Sequence, residues 1–190
     1  MSATAATASG HGMRCFLALL PAPASRQLLR RSREMLERAH AGAARSVRWV
    51  EPGATHLTLR FLGTMRTAQV EYFRHMLPAL APTLPAIAAQ RYGIWPNRAR
   101  PRMLVLELES DPHLLELVRE CEFHARKAGF EPEARDFRAH VTLARLRPGC
   151  AFGTLPPPPR AIGFEAVALM QSTLTQPAAT YTELANIAIR

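Results

Sequence analysis

Histidine followed two residues later by threonine occurs twice in this chain, as His56-Leu57-Thr58-Leu59 and as His140-Val141-Thr142-Leu143. Side chains on an extended strand alternate faces. Each copy therefore presents an imidazole and a hydroxyl on one face, roughly 6.6 Å apart along the strand, with apolar residues behind them. By the same alternation Arg60 extends the first polar face and Arg138 the second. An imidazole titrates near neutrality, so one copy can take a proton while the other gives one. The threonine hydroxyls can donate to oxygens on which negative charge develops. Two such faces across a groove suit in-line displacement at phosphorus, where the attacking water loses a proton and the departing oxygen gains one on the opposite side. A strained cyclic phosphodiester requires no more than these parts, and no metal. A single His-x-Thr is unspecific, and the weight lies in its repetition. His11, His40, His75, His113 and His124 lack the following threonine and read as surface or helix residues.

The elements around the two copies also recur in order. Arg14 to Leu20 is an apolar run stopped by Pro21, which suits a buried strand. From Ala24 to His40 apolar residues return with helical spacing, and Gly42 ends the pattern. Ser46 to Val50 is a short strand before the turn residues Pro52-Gly53, and Thr55 to Leu62 is the first motif strand, closed by Gly63. The second half begins again with a strand from Arg102 to Glu109. Asp111-Pro112 then supplies an N-cap and a first-turn proline for a helix that Gly129 ends, and the second motif strand follows from Phe137 to Leu146. Strand, helix and motif strand thus occur twice, as expected of two related lobes. The remaining segments differ: a helix over Thr67 to Leu80, a strand over Ile87 to Trp95, a stiff Pro156–Pro159 connector, and strands over Phe164 to Leu174 and Thr180 to Ile189. Without strict βαβ alternation, the expected class is α+β with antiparallel sheets.

Composition narrows the field. The chain of 190 residues carries a net charge of +9, nearly all of it from arginine, since Lys127 is its one lysine. Such a field favours anionic partners, nucleic acid first. Cys15, Cys121 and Cys150 are odd in number and widely spaced, which argues against a disulfide framework or zinc knuckle and for a reducing cytoplasm. No Cys/His/Asp/Glu grouping has metal-ligand spacing, so no metal and no cofactor are expected. Met1 to Gly12 lacks the basic and apolar regions of a signal peptide and reads as a disordered tail, leaving 13–190 as one bilobal domain. No apolar run approaches the roughly 20 residues of a membrane span.

Four segments carry a family resemblance: Arg14-Cys-Phe-Leu-Ala-Leu, Arg48-Trp-Val-x-Pro-x-x-x-His-Leu-Thr-Leu-Arg-Phe-Leu-Gly63, Pro96-Asn-x-x-x-Pro-Arg102 and Phe137-Arg-Ala-His-Val-Thr-Leu-Ala-Arg145. The chain resembles the 2H phosphoesterases, and among them the RNA 2',3'-cyclic phosphodiesterases also called 2'-5' RNA ligases. The resemblance implies two pseudo-symmetric lobes of antiparallel sheet with outer helices around a central cleft. It implies that His56 protonates the leaving O3', that His140 activates water, that Thr58 and Thr142 hold the phosphoryl oxygens, and that the product is a 2'-phosphate. The motifs themselves are nearly interchangeable and do not say which histidine is acid and which is base. Arg145 matches a basic residue common after the second motif, although strict alternation turns it away from His140; Arg138 is a further substrate-binding candidate. Phe16 and Tyr181 are candidate stacking partners for a base, with core packing the competing reading. Two positions depart from the family pattern: Ala139, where proline is common, and Thr55, where an apolar residue is usual. The implied partners are RNA ends or nucleotides bearing a 2',3'-cyclic phosphate, with the protein a monomer. Competing readings are RNA ligation, action on another cyclic nucleotide, and an RNA-end-binding module without turnover.

Overall fold

The computed structural model describes residues 12–40, 42, 46–80, 82–150, 152–174 and 179–190; the expected tail thus falls, but for Gly12, outside the described residues. Among these residues nine strands and three helices follow in the order β1 (Met13–Pro21), α1 (Pro23–Ala39), β2 (Val47–Trp49), β3 (Leu57–Met65), α2 (Thr67–Leu80), β4 (Ile87–Trp95), β5 (Met103–Leu108), α3 (Pro112–Lys127), β6 (His140–Leu146), β7 (Ala161–Ile162), β8 (Phe164–Leu174) and β9 (Ala179–Ala188). All strand pairs described are antiparallel. The expected α+β class is therefore the observed one.

The sheet runs β7-β4-β5-β6-β3-β1-β8-β9, with β2 added to β6. Each motif strand is the innermost member of a four-strand half. Instead of two separate sheets, the halves meet in one continuous sheet, and a single residue pair, Leu57 with Val141, joins β3 to β6. The helices do not respect the halves. Arg60 on β3 is bound by Glu122 of α3, while Ser25 of α1 accepts a hydrogen bond (2.8 Å) from the Gly163 N–H beside β7.

Local sequence explains the boundaries. Alternation in β1 sends Cys15, Leu17 and Leu19 to the main core and Phe16 and Ala18 to a smaller apolar cluster on the opposite face. On α3, Leu114, Leu117, Cys121 and Ala125 are buried at helical spacing. The Asp111 side chain accepts from the backbone N–H groups of His113 and Leu114, as its N-cap position demands. Gly129, with φ +85°, ends that helix in the left-handed region glycine tolerates. Gly63 behaves otherwise than expected. With φ +68° it sits where β3 shifts register against β1, and the strand continues to Met65.

Candidate active site

The Leu57–Val141 pair fixes the arrangement of the motif residues. Both of these side chains are fully buried in the core, so alternation turns His56, Thr58, His140 and Thr142 to the other face, where all four are partly exposed. Antiparallel register carries His56 toward Thr142 and Thr58 toward His140. The imidazoles then stand diagonally across the seam, on residues about 7–8 Å apart. The two rings are near enough for the charge of His140 to act on His56.

The same backbone device orients both rings. His56 Nδ1 is 2.8 Å from the Ala54 carbonyl and His140 Nδ1 is 2.7 Å from the Arg138 carbonyl. A carbonyl only accepts, so Nδ1 carries hydrogen in each ring and Nε2 is left as the group that gains or loses a proton. Burial pushes the His56 pKa below the usual imidazole value; the Ala54 hydrogen bond opposes this, and the charges of His140 and Arg145 reinforce it. His140 is also lowered, first by burial and then by the Arg138 and Arg145 charges, against the upward pull of the Arg138 carbonyl and of Glu107.

Aromatic rings back each imidazole. Phe16 and Tyr181 lie 4.9 and 5.1 Å from His56, centroid to centroid, and Trp95 lies 4.4 Å from His140. Phe16 is buried, whereas Tyr181 is half-buried on the same face. Trp95 is itself fixed: its indole N–H donates to Glu107 at 2.7 Å, and Arg91 holds the other carboxylate oxygen at 2.9 Å. A Cβ at position 93 would lie 2.4 Å from that carboxylate, so any larger residue there would displace the Glu107 side chain from its place beside Trp95. The Arg138 guanidinium lies 3.8 Å from the centre of the Trp95 ring and 3.8 Å from Glu107, beside the second motif.

Arg145 corrects the expectation from strict alternation. Leu104 pairs with Ala144 but Val105 pairs with Thr142, so Leu143 is an extra residue in β6. This bulge buries Leu143 and Ala144 together and resets the alternation, returning Arg145 to the His140 face. There it donates to the Met103 sulfur at 3.0 Å and lowers the pKa of both histidines.

Arg60 is corrected in the opposite sense. Leu17 pairs with Arg60 and Ala18 with Thr58, which makes Leu59 an extra residue and turns Arg60 off the histidine face. The guanidinium is 9% exposed, bound at 2.5 Å to Glu122 and paired at 3.7 Å with Glu133. Its place in the phase is taken by Phe61, which is 50% exposed. Arg60→Ala is therefore expected to lower unfolding free energy by about 2 kcal/mol, below the cost for a fully buried pair because both glutamates are part-exposed. Urea denaturation of the two proteins measures it, and an unchanged midpoint would contradict a structural role.

The two departures from the family pattern are both accommodated. Thr55 is buried, and its hydroxyl donates to the Pro52 carbonyl at 2.7 Å. Ala139 is buried, and its carbonyl accepts from the Leu108 N–H at 2.9 Å, which holds the chain entering His140 without a proline ring. Among the described residues, no group of three or more His, Cys, Asp or Glu side chains is placed to hold a metal ion, and no helix is long and apolar enough to cross a membrane. Trp95, Glu107 and Phe61 were not identified from sequence. The available signal for Glu107 was an acid in the middle of the apolar run Met103–Leu108.

Two imidazoles each oriented by a backbone carbonyl, on the same face of the sheet as two threonines and Arg145, offer groups suited to phosphoester chemistry. Comparison with known proteins gives the same class. The model of the LigT-like phosphoesterase family matches residues 19–105 and again 106–181, once for each motif. The chain belongs to the LigT-like phosphoesterase family.

An RNA 2',3'-cyclic phosphodiesterase of Aquifex aeolicus is 31% identical over 104 residues, covering 53% of this chain and 55% of that protein. One of Bacillus subtilis is 30% identical over 100 residues, covering 52% and 55%. The alignments thus span about half the length of these curated relatives. Among solved structures, Escherichia coli LigT complexed with 3'-AMP matches with a TM-score of 0.72 at 23% identity, over 94% of this chain and 98% of that one. A Thermus thermophilus protein matches with a TM-score of 0.73 at 22% identity, over the same shares. At these identities the likeness concerns the fold.

Proposed function

We propose that the chain hydrolyses 2',3'-cyclic phosphate ends of RNA to 2'-phosphates, with His140 and His56 as base and acid. The observation that carries this reading is the Leu57–Val141 pair, which brings the two motif strands together with His56 and His140 both part-exposed beside it. His140 Nε2 takes a proton from water as its oxygen bonds to phosphorus. The P–O3' bond breaks in line, and His56 Nε2 gives its proton to O3'. Thr58, Thr142 and the Arg145 guanidinium stabilise the non-bridging oxygens as charge grows there. The names of the Aquifex aeolicus and Bacillus subtilis relatives support the choice of substrate.

The test is turnover of a 2',3'-cyclic mononucleotide in excess EDTA, with the product compared with 2'- and 3'-phosphate standards. Accumulation of the 2'-phosphate is expected. A 3'-phosphate product would reject the assignment of O3' as leaving group, and EDTA inhibition would reject metal independence.

The pH profile carries a further expectation. Both imidazoles are held below the ordinary range in the free site, chiefly by burial and also by neighbouring positive charge. A bound phosphodiester anion favours the charged forms and raises both values. The bell for kcat is therefore expected at higher pH than the bell for kcat/KM, each limb belonging to the coupled pair. Steady-state rates across about pH 4–9 read this directly, and a kcat bell displaced to lower pH would contradict it.

A further inference from the structure

A groove of about 1260 Å³ opens from Thr58, Trp95 and His140 and runs between the outer face of α3 and the segment from Glu133 to Arg138. Of the three large hydrophobic side chains exposed among the described residues, Phe61 at 50% and Phe123 at 56% both line it. Rings left in water along one groove, rather than scattered, mark a surface that something covers. The charge lining the groove is uneven. Glu122 and Glu133 are occupied by Arg60 and Arg135, leaving Asp136 as the lining carboxylate without an ion pair among the described residues. Arg126 and Lys127 have no carboxylate within ion-pair distance among the described residues, and the Lys127 ammonium lies 5.0 Å from the centre of the Phe123 ring.

We infer that this groove carries the RNA strand leading into the active site, with Phe61 and then Phe123 as successive stacking platforms and Lys127 bound to the backbone between bases. The inference rests on the proposed function and deepens it. A 2',3'-cyclic phosphate is a 3' end, so the polymer continues only in the 5' direction from the active site, and the groove reaches that site at His140 and Thr58. Exposed aromatics interleaved with cations suit unpaired nucleotides, because every base has a face to stack and every linkage a charge.

The test compares kcat/KM of the full chain on a 2',3'-cyclic mononucleotide and on an oligoribonucleotide of about six residues with the same end. Phe123→Ala is expected to lower the oligomer-to-monomer ratio by about tenfold or more, the loss of one stacked base. Lys127→Gln is expected to reduce the slope of log kcat/KM against log salt on the oligomer by about 0.7, one phosphate contact on a single strand. Arg31→Gln, an exposed arginine of α1, serves as the control for lost charge. A ratio unchanged in Phe123→Ala, or a salt slope that falls equally in Arg31→Gln, overturns the inference while leaving the histidine mechanism standing. Failure of the unmodified protein to cleave either substrate overturns the mechanism itself.

Discussion

His56→Ala and His140→Ala are each expected to lower kcat/KM on a 2',3'-cyclic nucleotide by about 10²–10⁴-fold, the range for losing a positioned acid or base. Each ring has its Nδ1 hydrogen committed to a backbone carbonyl, so neither can substitute for the other by flipping without giving up that bond. The double variant is expected to lose little more than either single one, since the two protons move in one event. Removal of the base leaves only the fall at high pH that the acid sets, and removal of the acid leaves only the rise at low pH that the base sets. The four proteins assayed across pH thus assign the roles that the near-identical motifs leave open. Unfolding midpoints are read alongside, because His56 packs on Phe16 and Tyr181. A folded variant with undiminished rate would end the two-histidine proposal.

Arg145→Gln is expected to have the next largest effect, a fall in kcat of about 10²-fold, comparable to losing one transition-state donor. It carries a second signature that a structural role would not produce. The Arg145 charge lowers the pKa of both histidines, so its removal raises both and moves both limbs of the kcat/KM profile to higher pH. Arg145→Lys restores the charge but not the forked donor. It is therefore expected to return the pH profile while recovering only part of the rate. A profile that stays in place in Arg145→Gln would show that the guanidinium is not beside the rings.

The contrast between Arg145 and Arg60 shows what sequence alone can and cannot supply. Strand alternation correctly put His56 with Thr58 and His140 with Thr142, because two residues in one strand need no information about neighbours. It failed for both arginines, for one physical reason. Leu143 in β6 and Leu59 in β3 are bulged, and a bulge exists only in the register between two strands distant in sequence. The apolar pattern around a bulge is two adjacent buried residues, which looks the same as ordinary core. Helix limits were legible where the chain carries its own stops, as at Asp111 and Gly129. The Trp95–Glu107–Arg91 cluster was not, since it depends on β4 lying against β5. The twofold recurrence of strand, helix and motif strand was legible, but it suggested two lobes side by side. It gave no sign that they share one sheet.

Nor did the recurrence show the exchange of elements across the molecule's midline. Strand β2 comes from the first half of the chain yet pairs with β6 of the second, while α3 comes from the second and is bound to β3 of the first. Each half thus surrenders a piece to its twin, and neither can be peeled away without stripping the other. The gap between the imidazoles is consequently held by interlocked parts as well as by the one rung between β3 and β6.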